Sequence, residues 1–379
     1  MTEPDLIRYG IIGTGLMGCE HIRNIAALPG ATVTAVADPH APSRAAARLA
    51  MGEGPAAPVE FTDHRELLTS GLVDAVVVCT PNVTHAEVLD AVWTTDLHVM
   101  IEKPLCTTLA DARRVVAAAN RHRGVVWMGL EYRYMPPVAR FLRELTADNI
   151  GTLRMVSIRE HRFPFLIKVG DWNRFSINTG GTLVEKCCHF FDLMMLAVGA
   201  APVRVYASGG QDVNHLDERY PGNPAGEVPD ILDNAFVIVD FANGARGLLD
   251  LCMFAEASKN EQELVAVGDR GKIESKVTEG TVTVGRRAPA RSGGGAEGWP
   301  GPPTITTDDA ARDARVAHVG YHHGASYLEH LGFLDSIRNG TAPAVTVEEG
   351  MRSVAVGIAA HRSIELGRPV MLAELEDAQ

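Results

Sequence analysis

No apolar run in these 379 residues approaches the ~20 residues of a membrane span. Basic charge is also scarce. The formal net charge is −12, which argues against nucleic acid and anionic membranes, since both need basic surfaces. The opening MTEPDLIRYG has neither a basic region nor a signal-like apolar core, so the expected compartment is the cytoplasm. The six cysteines form no C-x-x-C pair and read as reduced thiols rather than a disulfide framework. Cys187 and Cys188 adjoin His189, but neighbouring helical residues point about 100° apart and converge poorly on one ion. They read as small buried side chains, and no metal is expected. No internal repeat is visible.

What is present fits an ordinary globular protein. Hydrophobic residues make up 46% and charged residues 22%. The length exceeds what one compact core usually holds, so two domains are expected.

The most informative stretch is Tyr9 to Gly18, YGIIGTGLMG. A strand-like run, Ile7 to Ile12, meets Gly13-Thr14-Gly15-Leu16-Met17-Gly18, a G-x-G-x-x-G that opens a helical segment, Leu16 to Ala27. In a dinucleotide-binding turn Gly13 makes the bend, Gly15 lets the backbone approach a pyrophosphate, and Gly18 packs helix on sheet. The pyrophosphate sits on free N–H groups at the helix start. A second strand, Thr32 to Ala37, ends in Asp38, 20 residues past Gly18, where a carboxylate suits the ribose hydroxyls. Asp38 favours NAD because a 2′-phosphate would meet a like charge; Arg44 nearby leaves NADP open.

Strand-like and helix-like segments alternate over residues 1–130, which implies a parallel sheet with helices on both faces. Ligands bind at the carboxyl ends of such strands. Thr80-Pro81-Asn82 and Glu102-Lys103-Pro104 lie at two of them. Beyond residue 130 the pattern changes. Met135 to Leu145 reads as a connecting helix, then strand-like runs dominate from Leu153 to Lys276, so residues 131–379 read as an α+β domain with a largely antiparallel sheet. Gln211 to Asp230 and Arg286 to Thr307 read as long surface loops, and Ser326 to Arg338 and Val347 to Gly367 as helices.

Three places carry candidate chemistry. Lys103 closes the strand Leu97 to Ile101 and faces the cofactor crevice, where it can hydrogen-bond a hydroxyl or a developing alkoxide; the plainer alternative is a solvated lysine. Leu183 to Val198, wound as one helix, puts Leu183, Cys187, Phe190, Met194 and Ala197 on one face and Glu185, His189 and Asp192 on the other. So greasy a helix is mostly buried, and its polar stripe then lines a cleft rather than meeting solvent. His189 is there the candidate general acid/base, with Glu185 one turn earlier to orient it. Trp172 can stack on a sugar or nicotinamide ring and Arg174 can bond hydroxyls, though both could simply pack; His322 and His323 are a weaker pair, of which His323 is the expected substrate contact.

In this order and spacing the pieces resemble the glucose–fructose oxidoreductase and inositol dehydrogenase family (Gfo/Idh/MocA). They are GIIGTGLMG, the ADP at Ala37 to Pro39, CTPNVTH at Cys79 to His85 and EKPL at Glu102 to Leu105. Further on come the Gly180-Gly181 helix with His189, NGARGLLDL from Asn243, and GRPV at Gly367 to Val370. The resemblance implies a Rossmann domain, then an α+β domain with a large, mostly antiparallel open sheet whose face pairs subunits in a homodimer or homotetramer. It implies that His85 and Glu102 join the cofactor set, that Lys103 binds the reacting hydroxyl, and that the Lys103–Pro104 peptide is cis. The family pattern Asp-x-x-x-His reads here Glu185 to His189, with Glu in place of Asp. The implied activity is NAD-dependent hydride transfer from a secondary hydroxyl of a sugar, sugar derivative or cyclitol. Redox-assisted glycoside cleavage and non-catalytic sugar or cofactor sensing are the alternatives.

Overall fold

The computed structural model describes residues 6–52, 57–288, 303–310 and 312–375. The first part alternates as the sequence implies: β1 (Ile7–Ile12), α1 (Leu16–Ala26), β2 (Ala31–Ala37), α2 (Ala41–Ala50), β3 (Val59–Phe61), α3 (His64–Thr69), β4 (Ala75–Val78), α4 (His85–Val92), β5 (His98–Glu102), α5 (Leu109–Ala119) and β6 (Val126–Gly129). The six strands form one parallel sheet in the order β3-β2-β1-β4-β5-β6. This is the doubly wound order in which the reversal beside β1 opens a crevice at the carboxyl ends. Val76, Val77 and Val78 are fully buried because helices cover both faces of the sheet.

α6 (Pro136–Thr146) leads to β7 (Leu153–His161). After the short α7 (Ser176–Thr179) and α8 (Thr182–Glu185) come α9 (Cys188–Val198) and the strands β8 (Pro202–Gly210), β9 (Asn234–Phe241), β10 (Arg246–Cys252), β11 (Gln262–Gly268), β12 (Gly271–Lys276), β13 (Thr281–Arg286) and β14 (Thr304–Asp309). α10 (Ala325–Asn339), α11 (Val347–Leu366) and β15 (Val370–Met371) complete the chain. The nine strands form a second sheet, β14-β13-β12-β11-β7-β10-β9-β8-β15, antiparallel except where β7 runs parallel to β10. Inward residues alternate along β9, where Ala235, Val237 and Val239 are buried. The two C-terminal helices serve both cores: Phe333, Leu334 and Val354 join the first, Val356, Ala359 and Ala360 the second.

Two expectations are corrected. Part of the loop expected over Arg286 to Thr307 is strand: β14 pairs with β13 from Thr304 onward, while residues 289–302 lie outside the described residues. Every residue of β14 is exposed, so it is held by the ladder rather than by burial and leaves no hydrophobic alternation to read. The single helix expected over Leu183 to Val198 is broken between α8 and α9 at Lys186 and Cys187. Lys186 turns inward there, to an acceptor on β7. The loop expected over Gln211 to Asp230 contains neither helix nor strand, and Arg174 holds it through Glu218.

Candidate active site

The turn after β1 is built for close approach. Gly13 has φ +88°, and a Cβ there would lie 2.7 Å from the Thr80 backbone nitrogen. At Gly18 a Cβ would lie 2.1 Å from the Gly13 carbonyl oxygen, so helix and turn touch only because both positions lack a side chain. Gly15 differs: its Cβ would meet nothing within 4 Å. The open side of Gly15 faces the cleft, and no side chain caps α1 there, so its first N–H groups are free for an anion. The residues present therefore fit a dinucleotide.

The cleft has a volume of about 570 Å³. Gly13, Gly15, Leu16 and Met17 line it, followed by Asp38 at the end of β2, Thr80, Pro81, Asn82 and His85 after β4, and Glu102 and Lys103 at the end of β5. The opposite wall comes from the segment Ile167 to Trp172. Thr14 and Gly18 are buried behind this surface. The Thr14 N–H donates to Asp38 Oδ2 at 2.8 Å and fixes that carboxylate, whose Oδ1 accepts from the His40 N–H at 2.8 Å. Arg44 pairs with Glu60 at 3.2 Å and donates to the Asp38 carbonyl, so its guanidinium is already engaged. His85 braces the two strand-end loops, its ring nitrogens 3.1 Å and 2.9 Å from the carbonyls of Thr80 and Pro104. The Lys103–Pro104 peptide is cis.

Deeper in, the end of β5 meets α8 over buried charges. The Lys103 ammonium donates to the Glu185 carbonyl at 3.3 Å. Burial alone would lower its pKa, but Cys188, Glu185, Glu102 and Glu131 outweigh that and hold it raised, so Lys103 is charged at neutral pH. His189 is 2% exposed and stacks on Tyr132 with centroids 3.9 Å apart. Burial, with Lys103 and Lys186 nearby, keeps its pKa well below the usual value, so the ring is neutral and can accept a proton. Behind Lys103, Glu102 accepts from His21 at 2.8 Å, and His21 contacts His330 at 2.8 Å.

The structure brings Lys103, Glu185 and His189 into one region, but of the three only Lys103 lines the cleft, Glu185 and His189 are buried behind it, and their partners differ from the helical-face expectation. The Glu185 carboxylate accepts from Lys168 at 3.1 Å, and among the described residues no hydrogen bond or ion pair joins it to His189. Asp192 turns away to Arg133 at 2.6 Å. Trp172 lines the cleft, with the Lys168 ammonium 4.4 Å from its ring centroid. Arg174 is buried and donates to Glu218 at 3.1 Å, tying down the 211–230 loop instead of lining the cleft. His323 is exposed in the left-handed region with φ 54°, whereas His322 turns inward, its Nδ1 3.6 Å from Glu131.

Several residues escaped the sequence reading. Glu131, just past β6, is 1% exposed, and neither carboxylate oxygen has a hydrogen-bond partner among the described residues. Burial, then the Glu102 charge, pushes its pKa up to about 8. The signal was available, because Glu131 follows the carboxyl end of a parallel strand as Lys103 does. Lys186 donates to Tyr132 Oη at 2.6 Å and pairs with Glu160 at 2.9 Å, all three nearly buried. Burial brings its pKa down to about 8. Nothing in the sequence joined Lys186 to Glu160 across 26 residues.

Comparison with known proteins agrees with this geometry. Residues 7–130 match the oxidoreductase family's NAD-binding Rossmann fold, and residues 143–372 match the same family's C-terminal alpha/beta domain. The chain is 28% identical over 374 residues to a myo-inositol 2-dehydrogenase of Thermotoga maritima, covering 97% of this chain and 99% of that one. It is 44% identical over 260 residues to inositol 2-dehydrogenase 2 of Paenarthrobacter aurescens, covering 66% and 70%. A levoglucosan dehydrogenase solved in complex with NADH superposes with a TM-score of 0.79 at 21% identity, covering 97% of this chain and 99% of that one, a likeness of fold. Both halves of the chain thus carry the family's pattern in order, and the chain belongs to the Gfo/Idh/MocA oxidoreductases, whose N-terminal half binds NAD.

Proposed function

We propose that this protein oxidises a secondary hydroxyl of a cyclitol or related sugar, with Lys103 and His189 as the groups that touch the reacting oxygen. One observation carries the reading: Lys103 stands at the inner end of the dinucleotide cleft and donates to the carbonyl of Glu185, four residues before the buried, neutral His189. Bound NAD supplies the hydride acceptor at its nicotinamide C4. The turn at Gly13 and Gly15 holds the pyrophosphate, Asp38 the ribose, and Thr80, Pro81 and Asn82 the nicotinamide end. Lys103 stabilises negative charge as it develops on the substrate oxygen, and His189 takes the hydroxyl proton. Glu185, held by Lys168, presents its carbonyl to Lys103 and so fixes the ammonium.

A polyhydroxylated substrate suits the buried polar atoms behind Lys103. Glu131 Oε1 and Oε2, Glu185 Oε2 and His189 Nδ1 are buried polar atoms without hydrogen-bond partners among the described residues, and each leaves a bond for a hydroxyl to make. The inositol dehydrogenases among the relatives support the same class. Trp172 offers an apolar face at the mouth. Arg174 and His323, as placed, have no part in this contact set. Asp38 and the engaged Arg44 favour NAD over NADP.

The reading extends to the whole chain: a dinucleotide-binding domain to about residue 130, a substrate and assembly domain beyond it, and a cytoplasmic homo-oligomer. Among the described residues no helix is long and apolar enough to cross a membrane. A screen of inositol isomers, aldoses and simple glycosides, followed by NADH absorbance with NAD and with NADP, tests the reading. One polyol turning over with NAD, and a Lys103→Ala variant losing roughly 10²–10⁴-fold in kcat, is the expected result. Native protein that forms no NADH with any polyol contradicts it.

A further inference from the structure

A hydroxyl oxidised at His189 leaves its proton in a buried place. The His189 side chain is 2% exposed and Lys103 beside it is already charged. The proton therefore needs a carrier. Among the described residues Glu131 is the carboxylate within 4 Å of a His189 ring nitrogen, its Oε1 lying 3.6 Å from Nε2. The same oxygen lies 3.6 Å from Nδ1 of His322, whose side chain is 21% exposed. Glu131 thus stands between a buried imidazole and one that reaches solvent, and hydrogen bonds to neither. Both gaps exceed a hydrogen bond by roughly half an ångström, the looseness expected of catalytic contacts before substrate binds.

We infer that Glu131 is the proton-relay residue of this enzyme, taking the substrate's proton from His189 and passing it to His322 and the solvent. The inference rests on the dehydrogenase reading above. The balance is simple. The hydride takes both electrons of the C–H bond to the cofactor; His189 Nδ1 takes the hydroxyl proton while Nε2 gives its own to the Glu131 carboxylate, and that proton leaves through His322 to water. In carbonyl reduction the same path runs inward from a protonated Glu131. The charged and titratable groups facing Glu131 are Glu102 and Lys103 at the end of β5, Tyr132 beside it, Lys186 between α8 and α9, Cys188 and His189 on α9, His322 before α10 and Glu329 on α10. With both imidazoles held neutral, the carboxyl is the member of the trio that keeps a proton near neutrality. Oxidation needs its ionised form, so the oxidation rate rises with pH as the cluster titrates around 8.

Three measurements test this. The first needs neither substrate nor cofactor. Infrared titration of the native protein shows a protonated carboxyl band that disappears as pH rises through about 8, and Glu131→Gln lacks it. In steady state, Glu131→Gln loses ~10-fold or more in kcat for oxidation at neutral pH, with KM for the polyol little changed, and loses the rising limb of the pH profile. His322→Ala is slowed similarly, and free imidazole restores its rate in proportion to the base form of the buffer, which a merely structural role would not produce. Absence of the titrating band, native kcat and pH profile in Glu131→Gln, or a His322→Ala variant at native rate or indifferent to imidazole overturns the relay while leaving the dehydrogenase reading intact. Native protein that forms NADH with no polyol overturns the dehydrogenase reading, and the relay falls with it.

Discussion

At Gly15 an added methyl meets nothing within 4 Å, whereas at Gly18 it lies 2.1 Å from a carbonyl oxygen. The two glycines of one motif therefore fail differently. Gly18→Ala forces the turn and α1 apart and costs about 1–3 kcal/mol of folding stability, read by denaturant unfolding without cofactor. Gly15→Ala leaves that stability near native, because its φ of −69° suits alanine. It fills the space a pyrophosphate needs and weakens NAD binding about tenfold or more, close to 1.4 kcal/mol, measured by calorimetry. Equal losses of stability in both variants would contradict this division of labour. The site residues were unevenly legible at this scale. Lys103, Asp38 and the glycines could be read because each stands at a fixed distance from a strand end. His322 and His323 could not be told apart, because only the backbone turn decides which ring points inward.

The break between α8 and α9 shows what an element's own periodicity leaves out. Apolar spacing over Leu183 to Val198 fits one helix, and local propensity offers no reason to stop at Lys186. At the break stands Lys186, whose ammonium pairs with the inward-facing Glu160 of β7 at 2.9 Å. A sequence shows period and punctuation, but a partner 26 residues away belongs to tertiary packing. The same limit explains β14, whose exposed residues carry no pattern, and Glu131, which a strand-end rule applied to β6 would have marked. The alternating first part was legible almost throughout, since buried strands and amphipathic helices each write their own period. Lys186→Met leaves the buried Glu160 only its longer, 3.6 Å contact with Arg162 and destabilises by about 3 kcal/mol. Adding Glu160→Gln to that variant recovers part of the loss. A single variant with native unfolding free energy would contradict the pairing.

Across the whole molecule the buried titratable groups set the acid response. Burial holds His64, His85, His98, His189, His322, His330 and His361 below the ordinary histidine range, and it holds Glu131, Asp192 and Glu329 above the ordinary carboxylate range. On unfolding, these seven rings take up protons below about pH 6.5, while the three carboxyls release theirs until pH falls to about 4. The rings outnumber the carboxyls, so the unfolded chain binds more protons in this window and stability falls as pH drops. The slope is about 1.4 kcal/mol per pH unit for each unbalanced proton. Urea unfolding at pH 7, 6 and 5 checks it, and a flat or rising stability would contradict the sign. At the same scale, the outer face of the second sheet exposes Tyr206, Ile238 and Leu248 in register across β8, β9 and β10, with Phe236 beside them. Such a row suits burial against another copy. Sedimentation of the native protein is expected to show a dimer or tetramer, and Ile238→Asp to shift it towards monomer; a native monomer would contradict this use of the face.

The proposed reaction turns on His189, neutral and buried beside a charged Lys103, accepting the substrate's proton. The measurement that meets it most directly is single-turnover NADH formation by His189→Ala on the polyol found in the screen, with NAD affinity measured on the same sample. Kd for NAD within a few-fold of native, with the hydride-transfer rate down roughly 10²–10⁴-fold, is the result this account predicts. A variant that forms NADH at the native rate, with NAD bound as tightly, would contradict it.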